Sequence, residues 1–322
     1  MAAVGNDIKF ARELLEQGQL VAIPTETVYG LGGNALNTKA VSLIYEVKDR
    51  PYFDPLIVHV ASLEKAHQYI ADIPRQAEQL AQRFWPGPLT LLLSKSDVIP
   101  DLVTAGLNRV GLRCPDHPMT LSLLEQLPFP LAAPSANPFG YVSPTTAGHV
   151  QEQLGNKIPY ILDGGSCRIG IESTIVGWDR LEPVVYRMGG VTVEELELTI
   201  GRVRLLAQSD SQPQAPGQLK SHYAPRKRFL LGNIEALLQK NQKHRAGILT
   251  FQPRIISGIT PETHLVLSPS GDLREAASNL FSMLRQFDQM DVDIVLSELV
   301  PEAGLGRAIN DRLRRAASGN EI

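Results

Sequence analysis

What most limits the folds open to this chain is the way its apolar runs end. The run Leu20–Ile23 stops at Pro24, which cannot donate to a sheet ladder, so a strand is expected to finish there. Thr25, Glu26, Thr27 and Tyr29 follow, and then Gly30, Gly32 and Gly33. Glycines let a backbone approach a ligand closely or take positive φ. A helix is expected from about Thr38, an N-cap type of residue, with Val41, Ile44 and Tyr45 on one face. It delivers Lys48 and Arg50 just ahead of Pro51. Strand, polar glycine-rich turn, helix and paired cations suit a phosphorylated ligand. Alone the stretch does not decide the matter. GLGG fits neither G-x-G-x-x-G nor the P-loop pattern, and an ordinary turn with solvated cations explains it as well.

The same design recurs downstream. Residues 7–17 read as an amphipathic helix with Ile8, Ala11 and Leu15 on one face and Gly18 placed to end it. LIVHV, 56–60, is a short strand whose His59, taken by itself, is more simply a satisfied core residue than a ligand contact. A helix at about 74–84 meets FWPGPLT, which turns sharply into a strand at Leu89–Leu93; Trp85 belongs to the core or packs at that turn. RVGLRCP, 109–115, places Arg109, Gly111 and Arg113 on one strand face, where buried arginines would need an anionic partner. The alternative is an edge strand with solvated cations. A helix starts at about Pro118. A strand breaking at Pro134 then leads into a rigid loop carrying Ser135, Asn137, Ser143 and Thr145. DGGSCRIGIESTIV, 163–176, and PVVYRMGG, 183–190, add two more polar, glycine-bearing strand ends. Ligands of α/β folds usually bind at such places.

Beyond residue 204 the chain changes character. Residues 205–219 are polar and carry proline and glycine without periodicity, which reads as a linker, and KSHYAPRKR follows. Four apolar runs then alternate with helical stretches at about 234–242, 272–290 and 306–317, the pattern of a small α/β domain with a parallel sheet. Arg307, Arg312, Arg314 and Arg315 in its last helix read by default as a solvated face. The expected division is 1–204, a linker or lid at 205–225, and 226–322, which agrees with about two domains for 322 residues. No apolar run nears the ~18–20 residues needed to cross a bilayer, so no membrane role is expected. Asp7, Lys9, Arg12 and Glu13 stand where an export signal needs an apolar core, so the expected compartment is the cytoplasm. Cys114 and Cys167 are too few for a disulfide framework or a structural zinc site. A net charge of −3 argues against non-specific nucleic-acid binding as the main activity.

Taken together, PTETVYGLG (24–32), K-x-RP (48–51), FWPGPLT (84–90), R-x-P-x-HP (113–118), APSAN (133–137), SPT (143–145), ESTIV (172–176) and APG…HYAP (215–225) resemble the threonylcarbamoyl-AMP synthase family. The resemblance spans nearly the whole chain and matches the family's two-domain form. It implies a YrdC-like domain, a twisted open mixed α/β sheet around a large concave cavity, followed by a smaller Rossmann-like α/β domain. It implies the joining of L-threonine, bicarbonate or CO2, and ATP into threonylcarbamoyl-adenylate with release of pyrophosphate. The product serves a tRNA adenosine next to the anticodon, so tRNA or a tRNA-modifying transferase complex is an implied partner. Carried over residue by residue, Thr27, His59, Arg113, Ala133 and Ser173 match the threonine positions. Lys48, Arg50, Asp54, Ser135, Ser143, Arg187 and Tyr223 match the ATP positions, and Asn137 and Arg109 are further candidates. Asp49, Asp54 and Phe139 depart from the residues the family commonly has there, which are glycine, asparagine and serine. Arg109 stands where a smaller polar residue is expected.

The chemistry asks for such residues independently. Threonine's amine must meet CO2 to form a carbamate, whose oxygen attacks the α-phosphate, so several anionic groups must be held close together. Arginine's planar fork suits the carboxylate, and Arg113 is the candidate. Lys48, Arg50 and Arg187 would offset phosphate charge. Positioning can contribute roughly 7–11 kcal/mol, so no covalent enzyme intermediate is required. Magnesium is expected with the ATP phosphates rather than in a protein cage. The linker, with Tyr223 at its tip, is the expected lid. Two other readings compete: a carbamoyl-adenylating maturation enzyme, whose acylphosphatase-like domain and paired CxxC motifs this chain lacks, and a non-catalytic double-stranded RNA-binding module.

Overall fold

The computed structural model describes residues 1–206, 215–216, 223–260 and 263–318, and it forms two compact units. The first unit is Met1–Phe139, Pro144–Arg168 and Glu172–Leu219. The second takes Lys220–Ile322 together with two short segments, Gly140–Ser143 and Ile169–Ile171, that the sequence reading had not set apart. Most of the expected linker lies outside the described residues.

In chain order the first unit begins with β1 (Ala3–Gly5), α1 (Ile8–Glu16), β2 (Val21–Ile23), β3 (Gly30–Asn34), α2 (Thr38–Lys48) and β4 (Ile57–His59). It continues with α3 (Leu63–Ala66), α4 (Arg75–Phe84), β5 (Leu89–Ser94), β6 (Arg109–Arg113), α5 (Pro118–Gln126) and β7 (Leu131–Ala132). Then come α6 (Ala147–Leu154), β8 (Tyr160–Leu162), β9 (Thr174–Asp179), β10 (Glu182–Arg187), α7 (Val193–Ile200) and β11 (Arg204–Leu205). Among the described residues these strands make one mixed sheet of 11 strands, ordered β1-β8-β2-β3-β7-β4-β6-β5-β9-β10-β11. Its core packs Leu20, Leu31, Val41, Ile44, Tyr45, Val58, Leu91 and Leu112 together, all buried.

The glycine-rich stretch differs from expectation. Gly30–Asn34 is not a turn but an inner strand, antiparallel to β2 with Val21 opposite Gly32, and antiparallel to β7 with Gly33 opposite Ala132. A Cβ on Gly33 would lie 2.7 Å from Leu20 Cδ2 and 3.2 Å from Ile44 Cδ1. At Gly33 the missing side chain lets helix and sheet close together. Helix α2 starts as expected, but Asn37 is its cap, its side chain accepting from the Lys39 and Ala40 amides. Strand β6 runs between β4 and β5, so the edge-strand alternative for its arginines fails. The short elements β1, α3, α6, α7 and β11 carry too little periodicity to be read in advance.

The second unit has β12 (Arg228–Leu231), α8 (Ile234–Lys240), β13 (Ala246–Thr250), β14 (His264–Val266), α9 (Leu273–Gln289), β15 (Ile294–Ser297) and α10 (Gly306–Ser318). Its sheet runs β12-β15-β13-β14 and every pairing is parallel, the Rossmann-like arrangement the sequence implied. The arginines of α10 are only in part a solvated face: Arg314 is exposed and Arg307 half-buried, but the other two are not. Arg312 is fully buried, Arg315 is buried, and both pair with Asp311, at 3.1 and 3.0 Å. Arg312 also lies over the Tyr223 ring, 5.3 Å from its centroid, and that ring stacks on Phe281 at 5.5 Å. In the same unit Arg285 donates to the Val142 and Ser143 carbonyls, and the Tyr141 hydroxyl donates to Asp288 at 2.5 Å.

Candidate active site

The site is built where the first unit's central strands stop. In the register of β4 and β6, His59 opposes Arg113, and both are buried. Arg113 finds the anion that its burial demands: its Nη2 lies 2.7 Å from Glu26 Oε1, with the two side chains 5% and 0% exposed. That contact lies off the line of a hydrogen bond, so it is a charge pair. Glu26's other oxygen accepts from the Asp116 amide at 3.1 Å, and Arg113 Nε donates to the Gly87 carbonyl at 3.3 Å. Beside Glu26, Thr27 is fully buried and its hydroxyl meets that of Thr25 at 2.8 Å. The Thr25 hydroxyl donates to the Val28 carbonyl at 2.6 Å, which folds the stretch after β2 into a fixed bend.

His59 is a buried histidine at the end of β4, and its Nδ1 has no hydrogen-bond partner among the described residues. Burial, helped by the charge of Arg113, pushes its pKa down to about 3. The imidazole is therefore neutral near pH 7. In the unfolded chain it protonates below about 6.5, so stability is lost as pH falls from about 6.5 towards 3, at up to about 1.4 kcal/mol per unit. Urea midpoints measured across that window should slope less in His59→Asn than in the native sequence; equal slopes would place the acid sensitivity elsewhere.

A second group gathers at the end of α2. Lys48 is buried and its Nζ donates to the carbonyls of Ser135, at 2.5 Å, and Asn137. It thereby ties the loop after β7 to the helix end. Burial, with Arg50's charge, lowers the Lys48 pKa well below the usual lysine range, while Asp54 opposes the shift. Arg50 donates through Nε to the Asp54 carbonyl at 3.0 Å and through Nη2 to the Pro55 carbonyl at 2.8 Å. Its Nη2 also stands 2.9 Å from Asp54 Oδ2 as an ion pair. Asp54 has no exposure, and burial raises its pKa against the charges of Arg50, Lys48 and Arg187. Those four charges therefore share one neighbourhood.

Arg187, at the end of β10, joins the two groups. Its Nε donates to the Ser173 carbonyl at 3.0 Å and its Nη2 to the Ser173 hydroxyl at 3.1 Å. That hydroxyl also meets Thr90 Oγ1 at 2.7 Å. A Cβ added to Gly189 would lie 2.2 Å from the Glu172 carbonyl oxygen and 2.4 Å from the Ser173 carbonyl carbon. Gly189→Ala should therefore push Ser173 out of place and destabilise the first unit by about 2 kcal/mol or more, read from denaturant unfolding.

The structure thus gathers Lys48, Arg50, Asp54 and Arg187 by charge, ties Ser173 to Arg187, and sets His59 against Arg113. Ala133 packs where its amide donates to the Ile57 carbonyl at 2.9 Å. The Ser135 and Asn137 backbones are drawn in by Lys48, and Asn137 is buried. Arg109 is not brought to this group: at the other end of β6 it donates to the Tyr186 hydroxyl at 2.9 Å and lies over that ring. Ser143 and Tyr223 belong to the second unit, where Arg285, Phe281 and Arg312 are their neighbours. Glu26 and Thr90 were not singled out from the sequence. The demand for an anion beside Arg113 was the signal available for Glu26, but it did not say which acid would answer.

Residues 13–189 match the family model described as telomere recombination, of the Sua5, YciO and YrdC proteins, and residues 191–318 match the threonylcarbamoyl-AMP synthase C-terminal domain. The threonylcarbamoyl-AMP synthase of Pyrococcus abyssi is 42% identical over 96% of this chain and 94% of its own. That of Bacillus subtilis is 41% identical over 97% and 93%. The crystal structure of P. abyssi Sua5 complexed with L-threonine superposes with a TM-score of 0.92 at 40% identity, covering 99% of this chain and 98% of that one. By sequence and by fold along its whole length, this chain belongs to the threonylcarbamoyl-AMP synthase family.

Proposed function

We propose that this chain joins L-threonine, bicarbonate-derived CO2 and ATP into threonylcarbamoyl-AMP and pyrophosphate, as its family's name describes. The observation that carries the reading is Arg187, which grips Ser173 while its charge reaches Asp54 beside Lys48 and Arg50. Amino-acid and phosphate chemistry then have one meeting place. In this reading Arg113 holds the threonine carboxylate, and Glu26 fixes the guanidinium. Thr27, His59, Ser173 and the Ala133 backbone surround the rest of the amino acid. The amine attacks CO2, forming the N–C bond and giving up a proton. A carbamate oxygen then attacks the α-phosphate, the bond to the β-phosphate breaks, and pyrophosphate leaves. Lys48, Arg50 and Arg187 stabilise the charge on the departing group.

Magnesium enters as the companion of the triphosphate, whose oxygens suit a hard cation, and supplies charge neutralisation there. Among the described residues no three His, Cys, Asp or Glu side chains come together as a metal cage. Ser143 and Tyr223 carry nucleotide roles through the family resemblance alone. The reading places the reaction in the cytoplasm, with the adenylate passed on to modification of a tRNA adenosine. Incubation with ATP, magnesium, bicarbonate and each amino acid in turn should release pyrophosphate with threonine far above the others. Salt-sensitive RNA binding without ATP consumption would instead favour an RNA-binding module.

A further inference from the structure

The acid at position 54 is the feature that the family reaction leaves unexplained. A carboxylate is a poor neighbour for a triphosphate. Yet Asp54 has no exposure and stands among the cations that the nucleotide reading assigns to phosphate. Its Oδ2 meets Arg50 Nη2 at 2.9 Å without a linear hydrogen bond, and Oδ1 has no hydrogen-bond partner among the described residues. Arg50 does not need that carboxylate to stay in place. Its N–H groups are aimed at backbone, the Asp54 and Pro55 carbonyls at 3.0 and 2.8 Å. The Tyr45 hydroxyl donates to the same Asp54 carbonyl at 3.3 Å. The loop is therefore held through its main chain as well as through the ion pair.

We propose that Asp54 is an internal competitor for the phosphate-binding cations: its carboxylate stands in for a phosphate oxygen between turnovers and takes Arg50 back as pyrophosphate departs. The inference rests on the nucleotide reading above. Asp54 engages Arg50 in a buried 2.9 Å ion pair, so an entering polyphosphate must compete with a carboxylate for that guanidinium. A buried like charge beside a bound anion is costly, and little salt reaches it to screen the repulsion. The consequence is looser hold on both ATP and pyrophosphate, and easier product loss.

The test is direct binding to the intact chain. Metal-free pyrophosphate and magnesium-ATP are titrated calorimetrically into the native sequence, Asp54→Asn and Asp54→Ser, with circular dichroism reporting the fold. Asp54→Asn should bind pyrophosphate about tenfold more tightly or better, and pyrophosphate should inhibit turnover correspondingly more strongly. Threonine affinity should move less than about twofold, since in this reading threonine does not use Arg50, the cation that Asp54 pairs with. Asp54→Ser removes the same charge with a different shape, and it decides the matter should the asparagine variant be too unstable to titrate. Unchanged or weaker pyrophosphate binding in the folded variants overturns the inference while leaving the nucleotide reading intact. A native sequence that binds neither ATP nor pyrophosphate overturns both.

Discussion

Replacing Arg113 by alanine is expected to raise the threonine KM by about tenfold to a hundredfold, while the ATP KM changes less than about threefold. Charge-assisted, bidentate hydrogen bonds to a carboxylate are among the strongest single contacts a protein offers, at about 1.5–3 kcal/mol. The substitution has a second effect that must be separated from the first. It leaves Glu26, a fully buried carboxylate, without its cation, and breaking a buried pair from one side costs about 3–5 kcal/mol of stability. The double variant Arg113→Ala with Glu26→Gln removes that orphaned charge. It should recover much of the stability yet keep the high threonine KM. Steady-state kinetics with each substrate varied in turn, beside urea unfolding, reads both effects. Equal rises in the two KM values would remove Arg113 from the carboxylate.

Arg187→Ala should have the other large effect, a fall in kcat/KM of about a hundredfold to a thousandfold for both substrates, the scale seen when one preorganised donor to a developing anion is lost. The reason is its double engagement: two of its nitrogens hold Ser173, while its charge reaches the Lys48, Arg50 and Asp54 group. Arg187→Lys separates those contributions. It keeps the charge but cannot span the Ser173 carbonyl and hydroxyl with a planar fork. The lysine variant should thus regain ATP affinity more than threonine affinity. A lysine variant indistinguishable from alanine would mean that the charge of Arg187 contributes little.

Much of this fold was legible because its elements announce their ends. Pro24, the turn at Pro86–Pro88, Pro118 at the first position of α5 and Gly18 beyond α1 are all backbone constraints, and they hold whatever packs around them. The second unit was readable because its buried parallel strands are near-continuous apolar runs. What could not be read were positions decided by partners distant in sequence. Gly30–Asn34 carries turn-like composition, yet β2 and β7 on either side make it a strand. Arg312 and Arg315 of α10 look like part of a solvated face until Asp311 and, for Arg312, the Tyr223 ring are brought against them. In the candidate site, motif and chemistry pointed to Lys48, Arg50 and Arg113, which the fold buries. Glu26 could not be named, because the choice of counter-ion depends on which acid the fold carries to Arg113.

The central claim is that threonine and the nucleotide phosphates react through a carbon held between them, and following that carbon tests it most directly. The protein would be incubated with 13C-bicarbonate, L-threonine, ATP and magnesium, and the nucleotide products analysed by mass spectrometry. The account predicts a threonine-dependent adenylate that carries the label, formed together with one pyrophosphate per molecule and lost in Arg187→Ala. An unlabelled threonyl adenylate, or pyrophosphate release that does not need threonine, would contradict it.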